Sequence, residues 1–207
     1  WTPESALPGP MLGHFAVTLA DGRVLVGGGV RDNGQLNPAT ALYQTALRQW
    51  SLGPNLKQLR AGAQAIRLAS GKVLVMGGID ASARALASTE IFDGGQFVDG
   101  PAMTTPRAYF AAALLPGGRV LVAGGFGDGG RTVTRTAEIY EPRTNSWRET
   151  NGLELERGDL IATSLLDGRV LVSGGVSSIA TYKTYLNKAE IFDPVAEIWL
   201  RAAPMKS

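Results

Sequence analysis

His14 is the one histidine among 207 residues, and cysteine is absent. Nucleophilic catalysis through a Cys-His or Ser-His-Asp set, and metal binding by imidazole and thiolate, need residues that this sequence does not hold at any supporting spacing. No pair of carboxylates is singled out for work on a glycosidic bond. The sequence predicts no catalytic residue, no metal site and no cofactor within this segment, and a core or channel-lining place for His14.

Paired charges offer a different chemistry. Arg60, Arg107 and Arg157 recur 47 and 50 residues apart, and Glu90, Glu138 and Glu190 follow them by 30, 31 and 33 residues. Where the pattern first occurs, both places change together: Met11 replaces the arginine and Ala41 the glutamate. Joint loss is what a buried ion pair demands, because either charge left alone in an apolar interior is costly. We therefore expect structural ion pairs Arg60 to Glu90, Arg107 to Glu138 and Arg157 to Glu190, each within about 4 Å, in preference to a ring of arginines gripping an anion. A second set, Arg31, Arg84, Arg131, Arg135 and Lys183 with Tyr182 and Tyr185, falls in segments of varying length and composition. Arginine and tyrosine are strong interface anchors, so these residues suit a protein or carbohydrate partner with acidic or hydroxyl groups.

The elements that must carry these residues form a repeat. DGRVLVGGG (21–29), SGKVLVMGG (70–78), GGRVLVAGG (117–125) and DGRVLVSGG (167–175) align, with turn glycines Gly22, Gly71, Gly118 and Gly168 separated by 49, 47 and 50 residues. TALY, TEIF, AEIY and AEIF follow, and then the aromatics Trp50, Phe97, Trp147 and Trp199. Each unit reads as four strands: an apolar run such as YFAAALL (109–115), a glycine turn, the R/K-V-L-V strand, a strand with Tyr or Phe, and a strand with the last aromatic. No segment has a 3.6-residue period, so almost no helix is expected. The double glycines do not open a helix and so do not read as a phosphate loop; they read as places where neighbouring backbones approach too closely for a Cβ.

A period near 50 with four strands per unit, a double glycine after the second strand, Tyr140-Glu141-Pro142 and Phe192-Asp193-Pro194, and a downstream Trp resemble the Kelch repeat. The WD40 alternative lacks its Trp-Asp dipeptide. The resemblance implies an all-β propeller with the first strand of each blade lining a central channel. Residues 11–52, 53–98, 99–149 and 150–201 are then four blades. Residues 1–10 are an outer strand and link of a preceding blade, since Trp1 aligns with Trp50, and 202–207 lead to a further one, as in a larger ring of five to seven blades. It further implies a non-enzymatic binding scaffold that presents its variable loops (30–40, 79–88, 126–136 and 176–188) on one face. The alternative is the propeller part of a larger carbohydrate-active oxidase or hydrolase. One His and no Cys cannot complete the copper site of galactose-oxidase-like propellers, and the repeated box of sialidase propellers is absent. Similarity to bacterial secreted Kelch proteins points to an exported or cell-surface setting.

A formal net charge of +2 without long runs of either sign gives no electrostatic case for nucleic acid. No stretch of 18 apolar residues predicts a membrane span. Open blade edges would favour self-association.

Overall fold

The structure, a computed structural model, describes residues 5–9, 11–127, 130–177 and 184–205. Four antiparallel sheets of four strands follow one another along the chain. Blade 1 contains β1 (Phe15–Thr18), β2 (Val24–Gly27), β3 (Thr40–Gln44) and β4 (Gln49–Leu52). Blade 2 contains β5 (Gln64–Arg67), β6 (Val73–Met76), β7 (Thr89–Phe92) and β8 (Phe97–Gly100). Blade 3 has β9 (Ala111–Leu114) and β10 (Val120–Ala123), then a small hairpin of β11 (Phe126–Gly127) and β12 (Thr132–Val133), and then β13 (Ala137–Glu141) and β14 (Ser146–Thr150). Blade 4 comprises β15 (Ile161–Ser164), β16 (Val170–Ser173), β17 (Ala189–Asp193) and β18 (Ile198–Ala202). The described residues hold no α-helix, with a 3-10 turn at Pro116–Gly118, and among them no helix is long and apolar enough to cross a membrane.

Local chemistry sets these elements. Gly22, Gly71, Gly118 and Gly168 close the first hairpin of each blade with φ of 85°, 85°, 81° and 87°, a conformation that costs a residue with a Cβ. In two of these turns an aspartate, Asp21 or Asp167, accepts the N–H of the residue two ahead at 3.0 Å. The opening strand of blade 3 is shorter than its apolar run, starting at Ala111. Tyr109 has φ of 50°, which breaks the extended run, and Phe110 turns into the core.

The innermost strands β1, β5, β9 and β15 pack in that order. Each second strand alternates between two neighbours, because successive side chains leave opposite faces of a sheet. Val73 and Val75 meet Leu25 and Leu42 of blade 1, while Leu74 and Met76 meet Val120 and Val122 of blade 3. Leu121 and Ala123 meet Val170 and Val172 of blade 4. An aromatic pair stands in each blade: Tyr43 and Trp50 at 5.1 Å, Phe92 and Phe97 at 5.1 Å, Tyr140 and Trp147 at 5.3 Å, and Phe192 and Trp199 at 5.0 Å between centroids. Trp50, Trp147 and Trp199 donate their indole N–H to the carbonyls of Ser5, Pro101 and Asn151 in the link entering the blade. The ring is not closed. Blade 4 leaves one face uncovered, with Ile161 70 % exposed where Ala111 of blade 3 is 3 % exposed.

Candidate binding face

The structure brings the three Arg–Glu pairs together inside their blades, at 2.8 Å for Arg60 and Glu90, 2.7 Å for Arg107 and Glu138, and 2.7 Å for Arg157 and Glu190. All three guanidinium groups are fully buried. Arg107 donates through Nη1 to the carbonyls of Gly124 and Thr136, and Glu138 accepts the N–H groups of Thr104 and Thr105. Arg60 and Glu90 repeat this with Gly77, Ser88, Lys57 and Gln58. Burial lowers the pKa of each arginine, and the facing carboxylate opposes that fall. Charges held this way pin the base of each variable loop to the link entering the blade and leave little for a ligand to use.

Blade 1 departs from this design. Met11 and Ala41 stand in the paired positions, and Pro8, aligned with Lys57, has no N–H for a carboxylate. A pocket of about 480 Å³ opens there, lined in part by Met11, Asn37, Ala41 and Leu52. Arg31 reaches over it, donating to Asn37 Oδ1 at 2.8 Å.

The loops after the second strands and the links entering the first strands emerge on one side, since bridges such as Leu12 to Val30, Ala61 to Ile79, Ala108 to Phe126 and Gly158 to Val176 continue the first hairpin there. Arg31, Arg84, Arg131, Arg135 and Tyr185 are all exposed in this loop set. Arg84 pairs with Asp80 at 3.0 Å. Tyr182 and Lys183 lie outside the described residues. Among the described residues no group of three or more His, Cys, Asp or Glu is placed to hold a metal ion. His14 is exposed on the uncovered side of blade 1, not in a core, with Nδ1 3.1 Å from the Met11 carbonyl.

At the inner end of this face lies a residue that the sequence reading passed over. Two places beyond each arginine position the backbone is left-handed: Gly13 (φ 69°), Gly62 (64°), Tyr109 (50°) and Asp159 (56°). A bulky residue in this conformation is a genuine outlier. The Tyr109 ring lies over Gly62, where a Cβ would come within 2.7 Å of it, and its hydroxyl reaches toward Gly13 of blade 1. Phe126 meets it edge-on at 6.2 Å. Burial, and secondarily the charge of Asp159, raise the pKa of Tyr109, so its hydroxyl stays protonated and can donate. Aligning the four copies gives Gly, Gly, Tyr, Asp at this place, which was the available signal.

The Kelch motif family matches residues 107–153 and 161–206, the third and fourth blades, and the whole chain overlays on the solved structure of YjhT with a TM-score of 0.87 at 15 % identity, covering 100 % of this chain and 74 % of that one. The fold is that of a Kelch-type propeller, and the third and fourth blades carry the Kelch motif. Similar curated proteins are Spermatocyte protein spe-26 of Caenorhabditis elegans, 31 % identical over 85 residues, and an F-box/kelch-repeat protein of Arabidopsis thaliana, 28 % identical over 75. The matches cover 38 % and 34 % of this chain and span only 14 % and 20 % of those proteins. The Arg–Glu pins that recur in blades 2 to 4 hold the blades together, and the loops that differ in length and composition between blades gather on one face.

Proposed function

We propose that this Kelch propeller is a non-enzymatic binding scaffold whose loop face receives a protein or glycan partner bearing acidic or hydroxyl groups. The observation that carries this reading is Tyr109, kept left-handed at the inner end of the face where blades 1 and 2 use glycine; strain of this kind persists where the side chain is useful. Kelch repeats generally serve as protein-binding scaffolds. Arg131 and Arg135 are exposed in the blade 3 loop and add positive charge to the face.

Wild type, Tyr109→Gly and Arg131→Ala/Arg135→Ala are compared on an array of neutral, carboxylated and sulfated glycans and on an immobilised acidic peptide. Tyr109→Gly is expected to weaken capture at least about tenfold while leaving the unfolding midpoint little changed, because relief of about 1 kcal/mol of backbone strain offsets lost ring contact. Capture equal for all three proteins would rule out this face.

A further inference from the structure

Losing the Arg–Glu pair leaves blade 1 with polar groups that nothing in the blade answers. In blades 2, 3 and 4 two carbonyls grip the arginine Nη1: Gly77 and Ser88 at 2.6 and 3.1 Å, Gly124 and Thr136 at 2.8 and 3.1 Å, and Gly174 and Lys188 at 3.3 and 2.9 Å. Their counterparts in blade 1 are Gly28 and Ala39. Neither of these carbonyls accepts a hydrogen bond among the described residues, and Ala39 lines the blade 1 pocket. On the side of the missing glutamate, Gly9 aligns with Gln58, whose N–H bonds Glu90. Gly9 also lines the pocket, and its N–H makes no hydrogen bond among the described residues.

Asn37 adds a second donor. It stands where blades 2, 3 and 4 have Leu86, Thr134 and Leu186, each bonded to the second glycine of its pair, and it is only 7 % exposed. Arg31 and the Ala39 N–H both donate to its Oδ1, at 2.8 and 3.1 Å. The amide is therefore fixed with Nδ2 on the other side, where it meets Met11 Sδ at 3.2 Å. A thioether is a weak acceptor, so a buried donor is poorly matched, which is costly unless something better arrives.

The pocket thus has an acceptor at Ala39 and donors at Gly9 and Asn37. Its two charged side chains, Arg31 and Asp32, are of opposite sign, so a ligand carrying a single charge would be repelled by one of them. Met11, Ala41 and Leu52 give it an apolar wall, and Leu52 is 77 % exposed there. We propose that this pocket binds a small zwitterion, an α-amino acid with an apolar side chain. The ammonium group donates to the Ala39 carbonyl and, as the flexible Met11 side chain moves aside, to that of Gly28. The carboxylate accepts from the Gly9 N–H and Asn37 Nδ2, and the side chain covers Leu52. The site lies in blade 1 and does not involve Tyr109, so its test and that of the loop face are independent.

L-Leucine is titrated into the 207-residue chain by calorimetry, beside isocaproate and isopentylamine, which carry the same side chain with only the carboxylate or only the amine. Leucine is expected to bind at least about tenfold more tightly than either, and to shift the NMR signals of the Ala39 amide and the Asn37 carboxamide. Met11→Arg combined with Ala41→Glu, the pair that blades 2 to 4 carry, is expected to abolish binding by answering the same groups from within. Asn37→Leu, which gives blade 1 the residue of blade 2, is expected to weaken binding about tenfold and serves if the double variant does not fold. Either half-ligand binding as tightly as leucine, or leucine binding unchanged in a folded variant, would overturn the proposal. So would the absence of heat and of any shift at about 10 mM leucine.

Discussion

Arg107 and Glu138 are both fully buried, and what makes this tolerable is that their polar atoms are almost fully matched by backbone groups and each other. Arg107 Nε is the one atom of the pair without a partner. Removing one partner strands the other, so Glu138→Ala is expected to cost about 3–5 kcal/mol in urea unfolding. Arg107→Met combined with Glu138→Ala, the arrangement that blade 1 uses at Met11 and Ala41, should cost less than Glu138→Ala alone. A double variant weaker than the single would show that packing and not charge dominates the site.

Between elements, the turn joining β17 to β18 is tied to blade 3. Glu197, left-handed at φ 55°, receives Arg148 Nη2 at 2.5 Å and Nη1 at 2.8 Å, with Arg119 at 3.3 Å. The Arg148 hydrogen bonds hold the Glu197 carboxyl below its usual range. A lowered folded pKa means that the stabilisation is complete above the unfolded value of about 4.3 and is lost as pH falls through the folded one. Glu197→Gln is expected to cost about 1 kcal/mol at neutral pH and to flatten the loss of stability below pH of about 5, read from denaturant midpoints across pH. This bridge was not legible in the sequence, because it occurs in one copy and joins two units. The second strands and glycine turns were legible, since every copy repeats them, and so was the partnership of arginine with glutamate, because both columns change together in the first unit. Tyr109 was not, because YFAAALL reads locally as one strand, and only the glycines at the aligned place in blades 1 and 2 reveal that its first residue stands outside the strand, which begins at Ala111.

At the scale of the molecule, burial is uneven. β6 and β10 are buried on both faces, whereas Leu171 and Ser173 of β16 are only half-buried. In a repeat architecture, stability sums over units and the interfaces between them, so the outer blade should open first. Amide exchange is expected to be faster across β16 than across β6 and β10; equal protection would mean that the four blades unfold as one unit.

Two belts of main-chain hydrogen bonds join the blades in opposite senses: Gly29, Gly78 and Gly125 donate to the carbonyls of Arg60, Arg107 and Arg157, and Gly62, Tyr109 and Asp159 donate back to those of Gly13, Gly62 and Tyr109. Each blade therefore offers the same donor and acceptor on its trailing side and the converse on its leading side. A joint of this kind is directional and asks only for glycine where a Cβ would meet the next blade's arginine carbonyl. The side chains of the loop face take no part in these bonds and are free to diverge one blade at a time.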